Sequence, residues 1–147
     1  FFLYLKRIII ILSKIGFGEG GLFSWKGRMN RLSFFINYLI LLIFMIICVC
    51  ALVYYGLEEN SDIAIGIGVV VFIFVFLRSL SLVARRLHDL GISGIGAIII
   101  GIFSGLAGKS EIGSVICLLI QLIVMLYPGT AGENKYGFPS TKKISLM

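Results

Sequence analysis

The chain is 147 residues long, 59% hydrophobic and only 14% charged, whereas a soluble domain carries roughly 25% charged residues. A domain this small leaves much of its surface exposed, so the composition excludes a water-soluble globule and makes lipid the medium around most of the chain; the length suits one membrane domain, 1–147. The formal net charge is +6, and because the cations flank apolar runs they point to anionic lipid headgroups and away from nucleic acid.

Residues 1–15 carry Leu5, Ile8, Ile9, Leu12 and Ile15 at helical spacing, with Lys6, Ser13 and Lys14 on another side. Lys6 and Arg7 interrupt the run long before the ~20 apolar residues that a span requires. The apolar stretch after them, 8–12, is too short for a signal peptide, and no A-x-A-like site follows. The segment is therefore predicted to be an amphipathic helix lying in the headgroup layer. The chain opens on Phe1 rather than Met, which suggests a few residues before it. Gly16-Phe17-Gly18-Glu19-Gly20-Gly21 matches the G-x-G-x-x-G spacing, but a dinucleotide site needs a helix opening directly after the glycines, within a βαβ unit. Here Leu22-Phe23-Ser24-Trp25-Lys26 follows, so 16–31 reads as a glycine-rich linker and basic approach to the membrane.

Trp25, Lys26, Arg28 and Arg31 mark that approach, because an indole ring and cations favour the interface. Asn30 is a suitable N-cap for the run 32–55, 24 residues or about 36 Å of helix. Tyr54 and Tyr55 supply the opposite aromatic belt, and Asn37, inside the run, is expected to bond to a neighbouring helix. Residues 56–62 carry Glu58, Glu59 and Asp62 and no cation. A second span, 63–83, continues as an amphipathic helix to about residue 90: Leu80, Val83, Ala84, Leu87 and Leu90 share one face, while Arg78, Ser81, Arg85 and Asp89 lie elsewhere. Arg78 is near enough to the end to snorkel to the headgroups, and Gly91 is the natural residue to end the helix. The third run, 95–107, repeats Ala97, Gly101 and Gly105 every fourth residue, a spacing that lets two helices approach closely. The fourth, 112–127, contains Gln121 and stops at Pro128-Gly129. At about 20 to 25 Å each, both are shorter than a ~30 Å hydrocarbon core; spanning is favoured over a re-entrant hairpin.

Cys48, Cys50 and Cys117 all lie in apolar runs, matching neither a disulfide framework nor a metal set, and read as packing residues. Of the 13 Lys and Arg residues only Lys109 falls outside three segments: the N-terminal stretch, 78–89, and the tail 128–147. Four spans put those three segments on one side, and the positive-inside rule makes that side the cytoplasm, with both termini inside. The expected fold is thus an all-α, four-helix transmembrane bundle preceded by an interfacial helix.

Three motifs carry a resemblance. Trp25-Lys26-Gly27-Arg28-Met29-Asn30-Arg31 precedes the first span. Ala84-Arg85-Arg86-Leu87-His88-Asp89-Leu90-Gly91-Ile92-Ser93-Gly94 follows the second. Pro128-Gly129-Thr130-Ala131-Gly132-Glu133-Asn134-Lys135-Tyr136-Gly137-Phe138-Pro139 follows the last. In order and spacing, from about Tyr4 to Pro139, the chain resembles domain-of-unknown-function family 805. That resemblance implies a small helical protein of the bacterial inner membrane with cytoplasmic termini and no established activity. Members of that family often carry Glu and Trp after the first Gly-Arg and tryptophans after the Ser-Gly; here those places read Leu32-Ser33-Phe34-Phe35 and Ile95-Gly96.

The charged residues permit several readings. Arg85 and Arg86 suit topology determinants among headgroups. Alternatively Arg28, Arg31, Arg85, Arg86 and His88 meet at one rim, Asp89 pairs with an arginine, and Asn134 and Tyr136 add hydrogen bonds, forming a cap that closes the bundle and that can also bind a phospholipid headgroup or a partner. Catalysis is not expected: the chain has one histidine, and adjacent His88 and Asp89 on a helix do not face each other. No cofactor or metal is implied. The expected function is a membrane scaffold or binding component, with the bilayer, a second copy or another membrane protein as partner. An oligomeric transporter or channel component is the alternative, with Asn37 and Gln121 as its polar candidates and a pore packed through the glycine face of the third helix.

Overall fold

The computed structural model describes residues 21–59 and 62–139. The expected interfacial helix, most of the glycine linker and the tail from residue 140 lie outside the described residues. Four helices follow one another: α1 Arg31–Glu59, α2 Asp62–Asp89, α3 Ile95–Ala107 and α4 Glu111–Leu126. The remaining regular pairing among the described residues is a single antiparallel bridge between Asn134 and Gly137.

Each boundary has a local cause. α1 begins where the Asn30 side-chain oxygen accepts from the Ser33 N–H at 2.7 Å, an N-cap that satisfies one of the helix's orphan donors. It runs 29 residues, past the expected end at 55, because Gly56 and Leu57 continue the helix. α2 ends in a Schellman turn: Ile92 N–H donates to the Leu87 carbonyl at 2.9 Å and Gly91 N–H to the His88 carbonyl at 3.1 Å. Gly91 takes the left-handed φ of +78° that this turn demands. α4 starts at Ser110, whose hydroxyl accepts from Gly113 N–H at 3.0 Å, with Glu111 in the first turn, where the helix dipole favours an acid. The α3–α4 turn is tight enough that a Cβ on Gly113 would lie 1.9 Å from the Ala107 carbonyl oxygen.

The burial pattern is the reverse of a soluble protein's. Among the described residues the buried side chains comprise ten apolar ones and ten polar or charged ones, while Ile43, Ile46, Val53, Ile65, Val70, Phe72 and Leu118 are exposed. An exposed apolar surface this continuous marks a contact with a membrane or with another protein. α1 over Arg31–Tyr54 and α2 over Ile63–Asp89 are long and apolar enough to cross a membrane, and the exposed apolar belt extends from them over α3 and α4.

The core is confined to one end: Phe34, Asn37 and Leu41 of α1, the last three turns of α2, Ala97 of α3 and Val124 of α4. α3 lies against α2 through Ala97, which is buried, and Gly101, where an added Cβ would stand 3.1 Å from Leu80 Cδ2. The small-residue seam within the chain ends there, since a Cβ on Gly105 would meet nothing within 4 Å. α4 reaches α1 through Gln121, whose amide donates to the Tyr38 hydroxyl at 2.8 Å.

Candidate functional site

Residues 22–30 form a lead-in segment that covers the last three turns of α2. Arg78 Nη1 donates to the Leu22 carbonyl, Ser81 Oγ to the Ser24 carbonyl at 2.7 Å, and Met29 N–H to the Arg85 carbonyl at 3.1 Å. The segment turns at Gly27, φ +81°, which brings its carbonyl to 3.1 Å from His88 Nδ1. A carbonyl oxygen only accepts, so Nδ1 carries the proton.

That turn delivers Arg28 to Asp89. Arg28 Nε donates to Asp89 Oδ1 at 3.0 Å, with Nη2 at 3.0 Å from the same oxygen. From the preceding turn of α2, Arg86 Nη1 reaches the other oxygen, Oδ2, at 2.5 Å. One carboxylate is thus shared by two guanidinium groups, and Arg86 is 0% exposed. Such a cluster survives burial only when the remaining donors are also satisfied, and here they are. Arg28 Nη1 donates to the carbonyls of Gly132 at 2.6 Å and Gly137 at 3.2 Å, and Nη2 to that of Thr130 at 2.5 Å. Arg86 Nε donates to the Val124 carbonyl at 2.9 Å, Nη2 to that of Tyr127, and Nη1 to Met29 at 3.4 Å. Val124 and Tyr127 lie at the C-terminus of α4, whose last carbonyls have no partner inside the helix. Arg86 therefore caps α4 from α2, and its charge suits the negative end of the dipole.

The loop after α4 closes the arrangement. A Cβ on Gly129 would fall 2.0 Å from Asp89 Oδ2, so only glycine lets the loop lie on the carboxylate. Thr130 donates to the Asp89 carbonyl through N–H at 2.8 Å and through Oγ1 at 3.1 Å. Asn134 Nδ2 donates to the His88 carbonyl at 2.9 Å, so the loop also caps the end of α2. The Asn134 side-chain oxygen accepts from Tyr136 N–H at 2.9 Å. The Tyr136 ring stacks on His88 with centroids 3.8 Å apart, and Lys135 Nζ stands 5.0 Å from the centre of the Tyr136 ring.

Of the residues singled out from sequence, Arg28, Arg86, His88, Asp89, Asn134 and Tyr136 meet in this clamp. Arg31 lies at its edge, exposed, with Nη1 3.4 Å from the Leu126 carbonyl. Arg85 is buried, at 4% exposure, outside the carboxylate's shell. The expectation for Arg78 is overturned. Instead of snorkelling outward it is buried, with Nη2 donating to Asn37 Oδ1 at 3.2 Å, while Asn37 Nδ2 donates to the Ser33 carbonyl at 2.8 Å. The expected cross-helix bond of Asn37 is this one. The face of α2 carrying Arg78, Ser81 and Arg85 is buried under the lead-in segment rather than facing headgroups; its period of three to four residues was the available signal. Among the described residues no group of three His, Cys, Asp or Glu side chains is placed to hold a metal ion.

The family described as "Protein of unknown function (DUF805)" matches residues 22–138, from the start of the lead-in segment to the end of the clamp loop. No curated protein and no solved structure matches the chain.

If the fork geometry of Arg86, and not its charge alone, holds the clamp, Arg86→Lys will lower stability by about 2 kcal/mol despite keeping the charge. Unfolding of the purified protein in detergent micelles by a denaturing surfactant measures this, and a variant as stable as the parent contradicts it.

Proposed function

The chain belongs to the DUF805 family, whose description names no activity, and on that premise we propose that it is a multi-pass scaffold or binding component of the bacterial inner membrane. It has four membrane helices and cytoplasmic termini, and its basic rim contacts anionic phospholipid headgroups. The carrying observation is the saturation of the clamp. Arg28 and Arg86 spend their donors on Asp89 and on carbonyls of the chain itself, which makes them architecture. Among the described residues the exposed cations around the clamp are Lys26, Arg31 and Lys135, and Trp25, next to Lys26 in the chain, is exposed as well. Near an anionic surface each contributes on the order of 1 kcal/mol. His88, held by Gly27 and stacked on Tyr136, has a structural role, and no catalytic step is assigned.

The topology rests on the charge distribution and on where the polar ends gather. The lead-in segment, the end of α2 and the loop after α4 converge on the clamp, whereas Lys109 sits on the α3–α4 turn, at the opposite end of the two short helices. An oligomeric transporter or channel component is the second reading. The observation in its favour is Arg78, buried with Asn37 within the apolar span Ile63–Asp89. An ionisable group there is costly unless it has a task.

Two measurements test the proposal. Replacing Lys26, Arg31 and Lys135 together by Gln is expected to reduce the anionic phospholipid retained by the purified protein in native mass spectrometry, with its unfolding midpoint unchanged; undiminished retention refutes the lipid contact. A reporter inserted at residues 60–61 is expected to read as periplasmic, and a cytoplasmic signal overturns the topology.

A further inference from the structure

The two short helices set the α3–α4 turn at a definite height on the long pair. On α2, Gly96 of α3 lies against Leu87, with an added Cβ 2.9 Å from Leu87 Cδ1, and Gly101 lies against Leu80 and Phe76. Following that antiparallel register by one residue for one residue puts the turn level with about residue 70 of α2. The contacts of α4 with α1 place the turn at the same height. α4 meets α1 at Leu126 with Arg31 and at Gln121 with Tyr38, which brings Glu111 to about residue 48 of α1. A Cβ on Gly68 of α2 would touch Leu52 of α1 at 3.5 Å, so residues 48–50 and 70–72 stand at one height.

Above that height the long helices continue as bare hydrocarbon surface. Val53 on α1 and Ile63, Ile65, Ile67 and Val69 on α2 are all exposed, extending about 10 Å beyond the turn at 1.5 Å per residue. The turn itself presents Lys109, Ser110 and Glu111, all exposed. On the face covered by α3 and α4, then, charged groups lie about a third of a ~30 Å hydrocarbon core deeper than the apolar edge of α1 and α2. Charges are costly at that depth, and a bilayer relieves a short hydrophobic element by thinning beside it.

We infer that the α3–α4 turn is a notch for phospholipid headgroups, into which the leaflet facing away from the clamp dips. Lys109 receives the phosphate and Glu111 the ammonium of a zwitterionic headgroup. The charge order suits this: Ser110 caps α4 and fixes Glu111 in its first turn, two residues from Lys109. A groove of about 430 Å³ between α1 and α2, lined by Leu42, Met45, Val49, Leu52 and Phe72, supplies the apolar wall for an acyl chain. The inference rests on the membrane-spanning reading above.

Nitroxide labels at Lys109→Cys, Glu111→Cys and Val70→Cys test it, each alone in a chain carrying Cys48→Ala, Cys50→Ala and Cys117→Ala and reconstituted in phosphatidylethanolamine–phosphatidylcholine nanodiscs. The three sites share one height. A water-soluble nickel chelate is expected to relax the labels at 109 and 111 more than oxygen does, and oxygen to dominate at 70. Oxygen-dominated relaxation at 109 and 111 overturns the notch by putting the turn in hydrocarbon. Exclusion of both reagents overturns it by putting a second copy over the turn. Nickel-dominated relaxation at 70 removes the membrane-spanning reading itself, and the notch with it. Each turn variant leaves the other turn charge in place, so agreement between them guards against a misfolded variant.

Discussion

The Asp89 carboxylate, gripped on one oxygen by Arg28 and on the other by Arg86, ties together three stretches that the sequence keeps far apart: the lead-in segment, the end of α2, and the end of α4 with the loop beyond it. Two guanidinium groups and one carboxylate leave a positive excess at the junction. It is met by dipoles: the carbonyls of Val124 and Tyr127 at the end of α4 and those of Thr130, Gly132 and Gly137 in the loop beyond. Each of those groups would cost free energy if buried alone. Together they complete one another's hydrogen bonds, so the cluster is stable as a unit and unstable in part.

This explains why the core has the composition it has. In the membrane setting proposed above, lipid gives the helices no reason to associate, since its tails are as apolar as the side chains facing them. Specific association then falls to hydrogen bonds and close contacts, and both are concentrated at one end: the clamp, the Arg78–Asn37 bond, the Ser81–Ser24 bond and the approach of Gly101 to Leu80. The far halves of α1 and α2 meet through smaller contacts such as Leu52 against Gly68.

The helices were legible in the sequence because run length, Asn30 and Gly91 are local signals, and α3 matched its expected limits. The gathering of Arg28, Arg86, His88, Asp89, Asn134 and Tyr136 was legible at the level of which end they share, since consecutive helices that alternate in direction return their flanks to one end. The partners were not. That Arg86 caps α4 depends on the angle at which two helices cross, which no local pattern carries. The burial of Arg78 and Arg85 depends on residues 22–30 folding back along α2 through Gly27, and a sequence run read as a linker does not announce that path. Gly105 shares its spacing with Ala97 and Gly101 yet stands clear of α2, because a regular repeat does not say how far a contact extends.

Arg28 and Asp89 stabilise the fold through each other. A double-mutant cycle with Arg28→Ala, Asp89→Ala and the double variant, followed by reversible unfolding in micelles, measures that coupling directly. The clamp predicts a favourable interaction of about 2 kcal/mol. A coupling within about 0.5 kcal/mol of zero, with both single variants as stable as the parent, would contradict it.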